Sequence, residues 1–293
     1  MIEIFHVSDL HFGMNKTWTK KAELLLKRIK EKFGVEPGGN RYLLVTGDIV
    51  QHGWKRQFKK AREALAPFKG NVRLVPGNHD YGFQGFVYRK KSAEYFDDDL
   101  AKELGINHPY ISKRPSSQIL KDKEGNKVLL IGLNSCSMTK TWLDIAKGEI
   151  GDDQRKRLDK ILSRPAYEDI PKLIYLHHIP HRRAQGIGMS LKDYKRLMAI
   201  VRDRVDALTF GHEGSMEELK PKDIKKKKLP EQDYNKLMSI KKMSIPMREM
   251  KLRSGKGQGI RYYLDANKSV KEQACYHIKV EGEEVKARLV KLA

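Results

Sequence analysis

Five short apolar runs in this chain each stop at a residue type that can ligate metal, and their brevity limits the folds open to it. Asp9 and His11 follow Ile4-Phe5-His6-Val7, Asp48 follows Leu43-Leu44-Val45, and Asn78 follows Val72-Arg73-Leu74-Val75. His177 follows Leu173-Ile174-Tyr175-Leu176, and His212 follows Ala207-Leu208-Thr209-Phe210. Runs this short and rich in Val, Ile, Leu and Phe suit buried strands better than helices. In open α/β sheets the ligand crevice lies beyond the carboxyl ends of the strands, so residues leaving several strand ends converge although distant in sequence. The five endings are therefore expected to form one site.

The segments between the runs carry a different period. From Trp18 to Phe33, Ala22, Leu25, Leu26, Ile29 and Phe33 recur at three- and four-residue steps among lysines, as on an amphipathic helix. A strand over Arg41 to Thr46, a helix with Phe58, Ala61, Leu65 and Phe68 on one face, and a strand over Val72 to Val75 follow. Lys127 to Asn134 reads as a strand, Asp152 to Leu162 as a helix, Leu173 to Leu176 as a strand, Leu191 to Val201 as a helix and Val205 to Phe210 as a strand. This βαβ spacing predicts parallel strands with right-handed crossovers, the geometry that collects strand ends on one edge.

Beyond residue 212 the character changes. Lysines and arginines crowd residues 220–256, interleaved with Met238, Met243, Met247 and Met250. We expect a Lys/Met-rich insertion at about 215–258 within a single domain spanning 1–293. Ile260 to Leu264, Ala274 to Val280 and Val285 to Leu292 then read as closing antiparallel strands at about 259–293, with Glu281-Gly282-Glu283 as a turn.

No apolar run approaches the ~18 residues a membrane helix requires, and Glu3, His6 and Asp9 make the first ten residues a strand and ligand loop rather than a leader. A cytoplasmic protein with no membrane partner is expected. Cys136 and Cys275 form no Cys-x-x-Cys pair and suit two ordinary thiols in a reducing compartment. A net charge of +22 exceeds what solubility asks. Phosphate-rich partners, nucleic acid first among them, would answer that charge by counterion release; lysines on solvated helix faces are the competing explanation.

Carboxylate, imidazole and amide oxygen together suit Mn2+, Fe2+/Fe3+ or Zn2+, whereas thiolate sites need cysteines that are absent from these loops. Asp9-Leu10-His11, Gly47-Asp48, Gly77-Asn78-His79-Asp80, His177-His178 and Gly211-His212 occur in this order over residues 9–212. In this the chain strongly resembles the calcineurin-like metallophosphoesterase superfamily, and its layout is nearest to the small bacterial phosphodiesterases. The resemblance implies an α/β fold, a four-layer α/β/β/α sandwich of two mixed β-sheets flanked by helices, with two divalent metal ions at the rim. It implies that Asp9 and His11 hold the first ion, Asp48 bridges both, and Asn78, His177 and His212 hold the second. His79 would contact the substrate or the leaving oxygen, Asp80 would influence the protonation of His79, and the substrate would be a phosphate ester, a nucleotide or nucleic acid among the options.

Elementary chemistry supports these roles. A carboxylate can span two cations ~3.5 Å apart, and metal-bound water loses a proton near neutral pH, giving a hydroxide for in-line attack on phosphorus without a serine nucleophile. Gly47, Gly77 and Gly211 precede ligands and suit turns where backbone comes close to the ions, although turn glycines are common. His6 and His108 read as structural or surface residues. His178, followed by Ile179-Pro180, either faces the substrate as a catalytic group or stabilises its loop. His181, Arg182 and Arg183 either add phosphate-facing charge or form an exposed basic loop.

One departure stands out. The family usually ends its motifs Gly-His-x-His, whereas this chain reads Gly211-His212-Glu213-Gly214, so the first ion lacks its last histidine. Water, Glu213 or another residue could fill that place, or the first site could be weak. Three functions follow: a metal-dependent phosphodiesterase, a nuclease or nucleic-acid-processing phosphoesterase suggested by the charge, and a metal-binding interaction protein that has lost hydrolysis.

Overall fold

The computed structural model of the chain describes residues 1–83, 87–136, 147–180, 191–212, 249–251, 260, 262–266 and 268–292. In chain order the strands are β1 (Ile2–Val7), β2 (Arg41–Thr46), β3 (Val72–Val75), β4 (Gly82–Phe83), β5 (Val87–Tyr88), β6 (Ser116–Lys121) and β7 (Lys127–Gly132). β8 (Lys172–Tyr175), β9 (Ala207–Phe210), β10 (Glu249–Lys251), β11 (Tyr262–Asp265), β12 (Ala274–Glu281) and β13 (Glu284–Lys291) complete them. The helices are α1 (Lys16–Phe33), α2 (Lys55–Leu65), α3 (Lys90–Glu94), α4 (Asp152–Leu162), α5 (Tyr194–Val201) and α6 (Ser269–Glu272).

Two mixed sheets result. One runs β13-β12-β1-β2-β3, the other β10-β11-β9-β8-β7-β6. β1, β2 and β3 are parallel, as are β7, β8 and β9, so their carboxyl ends point to one edge of each sheet. β12 and β13 close the first sheet as an antiparallel hairpin whose last facing pair is Glu281 and Glu284, with Gly282 and Glu283 as its two-residue turn. The expectation of three closing antiparallel strands needs correction at the first of them. β11 lies in the other sheet, parallel to β9 and antiparallel only to β10. An apolar run carries no mark of direction, so only the pairing decides it. Of residues 215–258, Glu249–Lys251 alone falls within the described residues, as β10.

The second sheet shows why its strands read as continuous apolar runs. Along β7, Val128 and Leu130 pack into the core shared with the first sheet, while Leu129 and Ile131 join a separate cluster with Leu158, Ile161 and Leu162 of α4. β8 repeats the division, with Leu173 and Tyr175 toward one side and Ile174 toward the other, where Leu197 and Val201 of α5 lie. A period of two with both faces buried leaves no polar face to alternate with. Strand β6 escaped prediction because it is an edge strand with Ser117, Gln118 and Lys121 exposed and only Leu120 fully buried. Helix α5 starts at Tyr194 rather than Leu191. Leu191 bridges to Gly148, and the Asp193 carboxylate is occupied with the amides of Ile150 and Gly151.

Helix α1 anchors the first ligand loop. Asn15 caps it by accepting from the Trp18 amide at 2.8 Å, and the Trp18 indole N–H donates back to the Leu10 carbonyl at 3.0 Å. Ala22, Leu25, Leu26 and Ile29 are its buried stripe. No helix among the described residues is long and apolar enough to cross a membrane.

Candidate metal centre

Asp9, Asp48, His177 and His212 each sit two residues beyond a strand end (Val7, Thr46, Tyr175 and Phe210), and Asn78 sits three beyond Val75. The loops after β1 and β2 run side by side, tied by Asp9 N to Gly47 O at 3.1 Å, His11 N to Asp48 O at 2.9 Å and Phe12 N to Ile49 O at 2.8 Å. Tight folding has a conformational cost. Asp9, His11, Asp48 and His212 all adopt left-handed backbone, with φ of 56°, 45°, 49° and 72°. Non-glycine residues avoid this region, and such strain persists where surrounding structure over-determines it, typically at functional sites.

Glycine is required beside these residues. Gly47 has φ +83°. A Cβ on Gly77 would come within 2.1 Å of Asp48 Oδ1. The expectation of close backbone approach is met here by a carboxylate pressed onto a peptide.

Asp48 is the hub. Its Oδ1 accepts from His79 N at 2.9 Å, which leaves Oδ2 to face three imidazoles: His177 Nε2 at 3.3 Å, His11 Nε2 at 3.9 Å and His79 Nε2 at 3.9 Å. Around His177 Nε2 also lie Asn78 Oδ1 at 3.1 Å and His212 Nδ1 at 2.9 Å. Nδ1 of His177 is 2.7 Å from the Thr46 carbonyl, which can only accept, so Nδ1 carries the hydrogen and Nε2 turns into the cluster. On the other side Asp9 Oδ1 is buried with no hydrogen-bond donor among the described residues, 3.7 Å from His11 Nε2. Two donor groups emerge, His11-Asp48-His79 and Asp48-His177-His212, the ligand atoms of each within 4.8 Å of one another.

These donor sets fit divalent cations. The buried Asp9 Oδ1 lacks a donor among the described residues, and the donor types gathered here are those that borderline ions accept. The charge state agrees. Burial opposes ionisation of Asp48, yet the neighbouring His177 and His79 hold its carboxyl well below the usual carboxylate range. Burial likewise disfavours charge on His177, but Asp48 overcomes it and lifts the imidazole to about 9.

The remaining expected residues divide. His79 is the most open of the imidazoles around Asp48, its side chain 19% exposed, and its Nδ1–H donates to the Gln51 carbonyl at 2.9 Å. Asp80 makes no bond to that ring. Its fully buried carboxylate accepts from Val50 N and Gly77 N, both at 2.8 Å, so the link expected between Asp80 and the protonation of His79 passes instead to the Gln51 carbonyl. Burial, then Asp48, raises Asp80 to about 7. His178 is fully buried, its Nδ1 2.7 Å from Ser135 Oγ and its ring centroid 4.2 Å from that of His212. His6 is buried with Nε2 2.8 Å from Thr46 Oγ1, and His108 is half-buried with Nε2 2.8 Å from the Arg114 carbonyl. His181, Arg182, Arg183, Glu213 and Gly214 lie outside the described residues.

Sequence reasoning missed Ser135 and the carbonyls of Thr46 and Gln51. The run Val128 to Leu133 ends in Asn134-Ser135, a strand end like the ligand-bearing ones but with hydroxyl chemistry, and that parallel was its signal. A backbone carbonyl leaves none.

A family model described as calcineurin-like phosphoesterase matches residues 2–216. A probable cyclic nucleotide phosphodiesterase of Vesicomyosocius okutanii is 23% identical over 227 residues, 76% of this chain and 82% of that protein. The glycerophosphodiester phosphodiesterase GpdQ of Enterobacter lignolyticus is 26% identical over 161 residues, 54% of this chain and 50% of that one, so the match spans about half of that relative. Among solved structures, a dimetal phosphatase from Danio rerio superposes with a TM-score of 0.57 at 12% identity, covering 100% of this chain and 99% of that chain. GAP50, the anchor in the inner membrane complex of Plasmodium, gives a TM-score of 0.53 at 10% identity, with 99% and 84% covered. Likeness at such identities establishes the fold alone, and that fold serves both a phosphatase and an anchor.

Proposed function

The chain belongs to the calcineurin-like phosphoesterase family, and from that premise we propose that it is a metal-dependent phosphodiesterase built around two divalent ions sharing Asp48. The observation that carries this reading is the place of Asp48 Oδ2, 3.3 Å from His177 Nε2 and 3.9 Å from His11 Nε2, where one oxygen belongs to both donor groups. Asp9 and His11 would join it in holding a first ion, and Asn78, His177 and His212 would join it in holding a second. Manganese, iron and zinc all suit this set. When bound, the ions supply positive charge opposite the phosphoryl oxygens and lower the pKa of water.

The chain itself contributes placement. The Thr46 carbonyl fixes the tautomer of His177, an outer contact that orients a ligand and sets its basicity. Asp80 pins the loop after β3 to the loop after β2 through the Gly77 and Val50 amides. His178, held by Ser135, backs the ring of His212. Asp80 and His178 are fully buried and act as positioning residues. A diester substrate is favoured because both curated relatives carry phosphodiesterase names.

With Mn2+ added, the protein is expected to hydrolyse bis(p-nitrophenyl) phosphate faster than p-nitrophenyl phosphate, and Asp48→Asn is expected to remove nearly all turnover. Full activity in Asp48→Asn, or no hydrolysis of any ester with Mn2+, Fe2+ or Zn2+, overturns the reading. The charge of +22 favours a second reading, a phosphodiester within nucleic acid. It requires binding to single-stranded DNA or RNA that weakens steeply with salt.

A further inference from the structure

We propose that His52, Trp54 and Arg56 form the subsite for the part of the substrate beyond the scissile phosphate, and that this part is a nucleoside. The inference rests on the reading of the centre as a metal-dependent phosphodiesterase and adds the class of its substrate: nucleoside phosphodiesters in preference to diesters of small alcohols.

The three residues lie on the loop that leaves Asp48 and on the first turn of α2. That loop is pressed against the chain around His79. The Gln51 carbonyl accepts from His79 Nδ1 at 2.9 Å, Val50 N donates to Asp80 Oδ1 at 2.8 Å, and a Cβ on Gly53 would meet the Asp80 carbonyl at 2.8 Å. His52 and Trp54 flank Gly53, beside the most open of the imidazoles around Asp48. From there a row of flat groups runs outward. The His52 and Trp54 rings have centroids 4.8 Å apart, and the Arg56 guanidinium lies 4.4 Å over the Trp54 ring. His52 and Trp54 are half-buried and Arg56 is exposed. Burial, then His79, Arg56 and His11, pushes the His52 imidazole down to about 4. One end of the row is thus within electrostatic reach of the imidazoles at Asp48, and the other ends in solvent.

Helix α2 does not need these residues for itself. An N-cap is normally Ser, Thr, Asp or Asn, whose side chain accepts from the first turn, yet Trp54 stands there and makes no capping bond. Lys55 and Lys60 of the same helix are paired with Asp99 and Glu23. Arg56, among the described residues, has no carboxylate partner and lies flat on the indole. Cation–π attraction holds a guanidinium in that orientation and leaves the N–H groups of its edge for a ligand. A nucleoside answers both features, because bases stack on aromatic rings and on guanidinium planes while their edges accept hydrogen bonds. A small alcohol substituent has no flat face to lay on the row. Every base has one, so the geometry selects the class and not a particular base.

The test compares two esters with the same leaving group on the Mn2+-loaded full chain: thymidine 5′-(p-nitrophenyl phosphate) and methyl p-nitrophenyl phosphate. Wild-type protein is expected to prefer the nucleoside ester in kcat/KM by at least about tenfold. Trp54→Ala and Arg56→Ala are each expected to raise its KM by about tenfold with kcat little changed, and Trp54→Phe to keep most of the preference. Should Trp54→Ala fold poorly, Arg56→Ala alters only an exposed side chain and decides alone. Equal kcat/KM for the two esters in wild type, or an undiminished preference in the folded variants, overturns the inference and leaves the phosphodiesterase reading standing. If neither ester is hydrolysed, that reading fails, and binding decides the subsite. Calorimetry is then expected to show thymidine 5′-monophosphate binding more tightly than inorganic phosphate, with the advantage lost in Trp54→Ala and Arg56→Ala; equal affinities, or an advantage kept in both variants, overturn it.

Discussion

The two sheets contribute to the metal centre in different ways. The first supplies every oxygen donor, Asp9, Asp48 and Asn78: the loops after β1 and β2 are joined backbone to backbone and hold three non-glycine residues at positive φ, and the loop after β3 joins them through the His79 amide on Asp48 Oδ1 and the Asp80 carboxylate on Val50 N. The second supplies imidazoles alone, His177 and His212. His177 is joined to the first sheet by a side chain, through Nδ1 to the Thr46 carbonyl at 2.7 Å. One half is thus fixed by peptide geometry and the other by a contact across the interface between sheets. Charge is shared across the same line: the carboxylates come from the first sheet, and of the three imidazoles facing Asp48 Oδ2, His11 and His79 come from that sheet and His177 from the other. The centre exists only where the sheets pack.

This contrast predicts that disturbing the peptide-fixed half does most harm. In Gly77→Ala the new methyl would meet Asp48 Oδ1 at 2.1 Å and its amide nitrogen at 2.3 Å, so the shared carboxylate must move. A displacement near 1 Å at reacting groups costs about a hundredfold in rate. We expect Gly77→Ala to lose that much turnover and to weaken both ions together in a Mn2+ titration. Loss of one ion only would show that Asp48 is not shared.

The half held by side chains should fail selectively. His177→Gln removes both the ligand and its bond to Thr46, and is expected to weaken the second ion by about 10–100-fold or more while sparing the first. The same titration checks it, and equal loss at both places would erase the distinction between the halves. Ser135→Ala acts one step further out. It removes the Oγ that lies 2.7 Å from His178 Nδ1 and accepts from His178 N at 3.1 Å. A buried polar group left unpaired costs about 1–3 kcal/mol, visible as a lower Tm. The second ion should weaken less than in His177→Gln, because Ser135 acts on His212 at one remove, through the ring of His178 packed against it.

What the sequence revealed divides along the same boundary. Side chains at strand ends were legible: apolar runs before Asp9, Asp48, Asn78, His177 and His212 pointed to the residues that the fold gathers around Asp48, because buried parallel strands leave no other place for polar chemistry. The α/β alternation was legible for the same reason, whereas the division into two sheets came from the family resemblance. Contacts made by peptide groups were not. Thr46 and Gln51 act through carbonyls, and Asp80 spends its carboxylate on amides, so its neighbour in sequence, His79, misled as to its partner. Direction was also hidden, since β11 reads like β12 yet lies in the other sheet. Edge strand β6 lacked an apolar face to announce it.

The smallest effect concerns the brace beneath the peptide-fixed half. His6 of β1 is fully buried with Nε2 2.8 Å from Thr46 Oγ1 of β2, while the Thr46 carbonyl serves Ser8 Oγ at 2.8 Å and His177. Burial depresses the His6 imidazole from 6.5 to about 3. Between those values the unfolded chain binds a proton that the folded protein refuses, so stability rises with pH there and falls on acidification, by up to about 1.4 kcal/mol per pH unit for one proton. His6→Gln keeps a polar partner for Thr46 and removes the titration. Metal binding at neutral pH should be nearly unchanged in this variant, because the ring is already uncharged there. Urea unfolding from pH 7 to pH 4 should show a shallower loss of stability in His6→Gln than in wild type. Identical slopes would mean that acid acts on the site through His177 and Asp48 rather than on the strands that carry it, and the brace would have no part in holding the first half.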